Sequence, residues 1–438
     1  MSVSQQLAEF IVSTRYEQVP EASLAMVQAS LLDYSACAIA GQHEPVSEAI
    51  KAMMNAEAGV GMASVIGQEQ KLPARAAALI NGACAHALDY DDTHFDYIGH
   101  TSVAVFPAAI AMAEQVSATG KEFLLAAQIG LEVACRVGAF MGRSHYEAGY
   151  HQTATSGSFG AAAAAAKLLG LNTRQCQQMF GLLSSRASGL KNQFGSMGKP
   201  YNAGMAASNG VEVALLVSHG MDSIENGLEA AFAASHHGEA DEHALASLGS
   251  DYRFDYISHK FHACCHGTHA ALEALIDLRQ DYNLLPDQIK HIQVKVHPRW
   301  LKVCDLPEPT SGLQAKFSYR MVLAMVMQGL NTGDPLAYKD DLHEQEGLQA
   351  SMSQLVVMAS DQLSDTQAEV RVELLDGRSL NKAYDCGATL PMDLLMIKLT
   401  AKAQVLVGAK AAASIGEQVA NLGTNPGNAE VFKLALNG

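Results

Sequence analysis

Apolar residues recur near the helical period through the first half of the chain. Residues 21–42 carry Leu24, Met26, Leu31, Leu32 and Ile39 close to that spacing, which predicts a helix. The run Ala76, Ala77, Ala78, Leu79, Ile80 reads as a buried helix. Thr119-Gly120 precedes a further candidate over 121–140. The alanine run of 160–171 closes on Leu168-Leu169-Gly170, the pattern of a helix stopped by glycine. Residues 204–219 repeat the small-residue texture through Ala206, Ala207 and Gly210. So much Ala and Gly predicts helices whose axes approach closely, as in a compact bundle.

The texture changes near Asp251. In 289–296, Ile292, Val294 and Val296 alternate with His291, Gln293 and Lys295, which predicts a strand. Residues 368–375 alternate too, and Asp376-Gly377 reads as a turn before Ser379-Leu380. Helical patterns lie at 268–278 and 317–330, and helix returns at 393–407 before a short polar tail. The expected fold is mainly α: a large all-helical domain, residues 1–261 plus 391–438, interrupted by a smaller α+β domain, residues 262–390.

Composition narrows the classes. Of 438 residues, 49% are hydrophobic and 17% charged, enough for a large core and unlike a disordered chain. The net charge of −16, with no basic block, argues against nucleic acid as partner. Any anion site must then be made locally, from a few cations and helix N-termini. The first residues lack a basic segment followed by an apolar run, so no secretory signal is expected. No stretch reads as apolar for long enough to cross a bilayer; the nearest, 159–171, is broken by Lys167. Eight cysteines without a C-x-x-C pair suggest reduced thiols in a cytoplasm.

Four segments could carry chemistry. Residues 81–100 gather His86, Asp89, Asp91, Asp92, Thr93, His94, Asp96 and His100 at the end of an apolar helix, as a reaction site or as a solvated helix end. His86 and Asp89, three apart, are expected to hydrogen-bond on one helical face. His151 stands just ahead of the alanine helix, where a helix N-terminus can hold an anion. Lys199 precedes Pro200 and is expected in a loop, as a lysine reaching a cleft or an ordinary surface lysine. In the fourth segment His262, His266 and His269 have spacing that a metal could use, beside Cys264 and Cys265. Gly267 interrupts that helix, and Thr268 reads as an N-cap, which would split the three histidines.

Taken in order, these segments resemble the MmgE/PrpD family. The family's N-G-x-x-x-H-x-x-D-x-D-D-T with a later H-x-S stands as residues 81–93 and His100-Thr101-Ser102. Its H-x-T-x-x-x-G is similar to His151, Thr153 and Gly157, and its K-P-x-x-x-G-x-A-A to Lys199, Pro200, Gly204, Ala206 and Ala207. Its K-x-x-x-x-C-x-x-T-H is similar to Lys260, Cys265, Thr268 and His269, and its A-K-F-S to 315–318. The resemblance implies that the α+β domain is a lid, and that the chain is a homodimer without organic cofactor or metal. It also implies a cleft holding Asp89, Thr93, His100, His151, Lys199 and His269. Asp89, His100, His151, Lys199 and His269 would be catalytic, with Thr93, Lys199 and His269 binding substrate.

The implied activity is a lyase on a small di- or tricarboxylic acid, a 2-methylcitrate-like dehydratase or related decarboxylase, built on a carbanion next to a carboxylate. An epimerase of an amino- or iminodicarboxylate such as iminodisuccinate is the alternative within the family. A metal-dependent hydrolase using His262, His266 and His269 is the alternative of another class. Three departures stand out. The spacer from Thr93 to His100 is one residue longer than in the decarboxylases, Thr101 replaces the usual Pro, and Met321 replaces a tyrosine. The lost hydroxyl removes a polar contact that decarboxylation would use.

Overall fold

The structure is a computed structural model that describes residues 1–57 and 59–424. They form two compact units: residues up to His259 together with those from Pro391 onward, and Lys260–Leu390. The polar tail expected from the sequence lies largely outside the described residues.

The first unit is helical. Its helices are α1 (Val3–Ser13), α2 (Glu21–Ala40), α3 (Pro45–Glu57), α4 (Ala74–His86), α5 (Ser102–Gln115), α6 (Gly120–Glu147), α7 (Gln152–Leu169), α8 (Thr173–Leu183) and α9 (Gly198–Ser218). Local chemistry sets several ends. Thr119 and Glu122 form a reciprocal capping box at the start of α6, and Gly170 ends α7 in the left-handed region at φ 66°. The core is made of small residues. Ala161 to Ala166 are all fully buried on α7, which packs along α6 and α9, while α9 packs along α4. At Gly204 of α9 a Cβ would stand 2.3 Å from the Leu79 carbonyl oxygen of α4, so only glycine permits this approach.

The second unit carries α10 (His269–Tyr282), α11 (Pro298–Cys304), α12 (Tyr319–Met327) and α13 (Glu346–Ser353). Its sheet comprises β1 (Ile289–Val296), β2 (Leu355–Ala359), β3 (Gln367–Leu374) and β4 (Ser379–Asp385), in the order β2-β1-β3-β4. β1 pairs parallel to β2 and antiparallel to β3, and β3 pairs antiparallel to β4. The alternation in β1 is real: Ile292, Val294 and Val296 are buried, and α10 packs over β3 and β4. The chain then returns to the first unit through α14 (Met392–Val407) and α15 (Ala409–Asn421).

The fold is thus mainly α with a smaller α+β part, in agreement with the hydrophobic pattern. Three details differ. Seven helices, α1, α3, α5, α8, α11, α13 and α15, and the edge strand β2 carry no signal that the periodicity picked out. Pro107 sits inside α5, where it argues against helix locally. Two helices, α2 and α6, are long and apolar enough to cross a membrane by length and composition, contrary to the sequence expectation. Their apolar windows are 83% and 94% buried within the protein.

Candidate active site

The site begins where α4 ends. Asp89 adopts φ 50°, a left-handed turn that Asp tolerates, and its N–H donates to the His86 carbonyl at 3.1 Å. This turn reverses the chain after one helical turn. It carries Asp91 back onto His86, whose Nδ1 lies 2.7 Å from Asp91 Oδ1. The expected His86–Asp89 pair is therefore replaced by His86–Asp91, because the helix ends at His86 and the i,i+3 spacing no longer applies. Both side chains are buried.

Several polar residues of the segment hold the loop in place. The Asn81 side chain accepts from Ile66 N–H and donates to the Ser64 carbonyl. Thr93 exchanges both backbone hydrogen bonds with Ser258. His94 Nε2 sits 2.8 Å from the Arg253 carbonyl, and Asp96 pairs with Arg253 near the surface. Asp92 caps the start of α5 through Ser102. Burial pushes its carboxyl up to about 8, with Asp91 and Asp33 adding and the Ser102 bond opposing. Asp91 goes the other way. Burial raises it, but His86 and His100 outweigh burial and hold it well below the usual carboxylate range.

His100 is fixed by its backbone and by its ring. Its N–H donates to Thr153 Oγ1 at 3.0 Å. Its Nδ1 faces two acceptors, the Asp92 carbonyl at 2.7 Å and Asp91 Oδ2 at 3.0 Å. Nδ1 therefore carries hydrogen, which leaves Nε2, 3.7 Å from Asp89 Oδ1, as the nitrogen that exchanges a proton. Asp89 Oδ2 is 2.5 Å from Lys199 Nζ. One carboxylate thus stands between a base and a fixed cation.

His151 has the opposite tautomer. The Asn202 amide nitrogen also faces the Leu190 carbonyl, so it is the NH2 group that meets His151 Nδ1, at 3.3 Å. Nδ1 then accepts and Nε2 carries hydrogen. The residue occupies the N-cap position of α7. Burial, then the neighbouring His86, Lys199 and His100, keeps the imidazole neutral, well below its ordinary range. Its ring stacks 6.2 Å from His86, which is 4.5 Å from the His100 ring. Phe194 joins the group, edge-on to His151 at 5.0 Å and under Lys199 Nζ at 5.2 Å. Lys199 is not in a loop: α9 starts at Gly198, and Pro200 fits its first turn, where no intrahelical N–H is required. Four buried polar atoms here have no hydrogen-bond partner among the described residues: Thr93 Oγ1, His86 Nε2, His151 Nε2 and Asp91 Oδ2, the last facing His100 Nδ1 at 3.0 Å as a charge contact only. Atoms of this kind are costly unless a ligand or water satisfies them.

In this unit, Asp89, His100, His151 and Lys199 come together as one connected cluster. His86 and Asp91 belong to the same cluster and were not assigned roles from the sequence. The signal for Asp91 was the D-x-D-D spacing, which cannot be converted to geometry until the left-handed turn is known. His269 lies in the second unit, at the start of α10. Its ring is 5.0 Å from His262 and 4.6 Å from His266, and its Nε2 is 3.3 Å from the Cys264 carbonyl. His262 Nδ1 pairs with Thr332 Oγ1 at 2.7 Å and its Nε2 lies 3.5 Å from Glu273. Thr268 takes the N-cap position of α10 without a side-chain cap bond, and its hydroxyl donates to the Cys265 carbonyl instead. Met321 is buried, and its N–H donates to Ser318 Oγ at the start of α12.

The three histidines of the second unit do not form a shared ligand set. Among the described residues, the group whose ligand atoms lie within 4.8 Å of one another is His86, Asp89, Asp91 and His100. His86 and Asp91 share a hydrogen bond at 2.7 Å, His100 Nδ1 is hydrogen-bonded to the Asp92 carbonyl and faces Asp91 Oδ2 at 3.0 Å, and Lys199 supplies a cation to Asp89. The group is a hydrogen-bonded acid–base network.

Comparison with known proteins agrees in extent. The MmgE/PrpD N-terminal domain matches residues 5–240, and the MmgE/PrpD C-terminal domain matches residues 262–421. A cis-aconitate decarboxylase-like protein, oryM, of Aspergillus oryzae is 30% identical over 67% of this chain; the match spans 65% of that protein. A cis-aconitate decarboxylase of Aspergillus terreus is 28% identical over 87% of this chain and 84% of its own length. The human cis-aconitate decarboxylase is 28% identical over 59% of this chain and 56% of its own length.

Proposed function

The chain belongs to the MmgE/PrpD family, and on that premise we propose that it is a lyase acting on a small di- or tricarboxylate. The observation that carries this reading is the pair of imidazoles of opposite tautomer, His100 and His151, beside the Asp89–Lys199 ion pair. Lys199 neutralises a substrate carboxylate. His100 Nε2 removes the proton on the carbon next to it, and His151 Nε2–H gives its proton to the hydroxyl on the neighbouring carbon as that C–O bond breaks, so that a C=C bond forms and water leaves. Thr93 Oγ1, buried without a partner, is a further donor to a carboxylate. His269 is proposed as an additional substrate ligand on its motif alone.

A placed base favours loss of water, which begins with proton removal, and the finer reading is a dehydratase of a citrate-like acid. Decarboxylation is the second reading. It is favoured by the names of the relatives; it uses the same clamp and needs no base, and the carbanion left as CO2 departs takes its proton from His151 Nε2–H.

The test is incubation of the purified protein with citrate-like and aconitate-like acids in D2O, followed by proton NMR. Vinyl protons appearing with loss of the hydroxylated acid are the expected result. Release of CO2 selects the decarboxylase, and deuterium exchange with inversion but no elimination selects the epimerase. No change in any of these acids overturns the proposal.

A further inference from the structure

The Asp91 carboxylate is fully buried and meets two imidazoles, His86 Nδ1 at 2.7 Å through one oxygen and His100 Nδ1 at 3.0 Å through the other. His100 does not need Asp91 for its tautomer, because the Asp92 carbonyl also accepts from Nδ1 at 2.7 Å. Asp91 adds charge where the carbonyl gives orientation. We propose that Asp91 is a positioning residue whose one carboxylate is divided between two imidazoles. It places a counter-charge behind His100, and His86 sets how much of that charge His100 receives. The inference rests on the reading of His100 as the base.

The physical argument is one of competition. When His100 Nε2 takes a proton, the imidazolium is stabilised by the anion behind Nδ1; Asp91 itself stays ionised. His86 donates to the same anion and dilutes its effect on His100. The other charged or titratable groups facing the network are Asp89 and Lys199 on the Nε2 side, together with His151 and Asp92. The Asp33–Lys402 pair faces it from α2 and α14. None of these bridges the two rings as Asp91 does.

The competition predicts shifts of opposite sign, which a merely structural role does not. In Asp91→Asn, His100 loses its counter-charge, so the acid limb of kcat/KM moves to lower pH by about one unit or more. The plateau falls about tenfold or more, because a weaker base removes the proton more slowly. In His86→Phe, which has no donor, the carboxylate turns wholly to His100, and the acid limb moves to higher pH. The titration of His100, followed by NMR in protein carrying 15N-histidine and assigned with His100→Gln, must move in the same two directions. Wild-type His100 must show hydrogen on Nδ1 at neutral pH.

A fall in thermal stability of Asp91→Asn with an unmoved His100 titration makes Asp91 structural and overturns the inference, as does the opposite tautomer in the wild type. Should Asp91→Asn fail to fold, His86→Phe and the wild-type tautomer still decide. If no polycarboxylate turns over, the proposed function fails, while the His100 titrations continue to test the charge division separately.

Discussion

Lys199 is the residue on which the binding role turns. Its ammonium is held by Asp89 at 2.5 Å in the first turn of α9, close to His100 and Phe194. A fixed cation beside a base suits a carboxylate clamp. Lys199→Ala is expected to raise KM and to lower kcat/KM by about 2–4 kcal/mol, the loss of a charged partner from a desolvated pair. His100→Ala and His151→Ala are expected to depress kcat with smaller effects on KM. Full-strength binding by Lys199→Ala with turnover abolished would instead place the lysine in proton transfer. At this scale the sequence was legible as a set of residue types and less so as pairs. Asp89, His100, His151 and Lys199 were visible from motif spacing. The Asp91 partnerships were not, because they depend on Asp89 taking φ 50° and reversing the chain, which spacing alone does not encode.

The catalytic segment is also held at the level of whole elements. Lys402 on α14 is buried, pairs with Asp33 of α2 at 2.6 Å, and donates to the Tyr90 carbonyl at 2.6 Å. Burial is the largest single effect and works against this charge, but Asp33, Cys37 and Asp91 together outweigh it and the lysine is held above its ordinary range. Tyr90 stands between Asp89 and Asp91, so the last helices tie down the loop that carries both carboxylates. Lys402→Met strands Asp33 as an uncompensated buried anion and is expected to cost about 3–5 kcal/mol. Lys402→Met with Asp33→Asn is expected to recover most of that in a denaturant titration. A double variant no more stable than the single one would show that packing, not charge, is the tie. The sequence showed α14 as a helix but gave no reason to connect Lys402 with residue 90, since a lone lysine on an apolar helix reads as solvated. Helices were legible where apolar and small residues run densely, as in α2, buried at most positions from Ser23 to Ile39, and α4, buried from Ala76 to His86. Those with a single apolar face and an exposed polar one, such as α1 and α8, were missed, and so was α5, whose residues from Ser102 to Met112 are all buried around an internal proline.

For the molecule as a whole, buried titratable groups set an unusual response to pH. His259 is buried against Ser30 Oγ and is pushed down by burial to about 3, with Lys402 adding. His145 is pushed down by burial to about 4. Such groups stay neutral in the fold while the unfolded chain titrates near 6.5. Their stability is fully present above about 6.5 and is lost as pH falls toward about 4 and about 3. Asp92, raised to about 8, and Asp255, raised by burial to about 6, act in the reverse sense. The fold keeps their protons, so stability falls as pH rises from the unfolded carboxylate value through those points. Between about pH 4 and 6.5 the two sets oppose, and the wild-type curve is expected to be shallow. Single variants separate them. His259→Asn removes an acid-linked loss, so its stability at pH 4.5 relative to pH 6.5 improves on the wild type. Asp92→Asn removes the opposing gain, so its acid loss steepens. Denaturant midpoints by far-UV circular dichroism at the two pH values check both signs. If the two variants move the difference the same way, one of these groups does not carry its proton as the buried geometry requires.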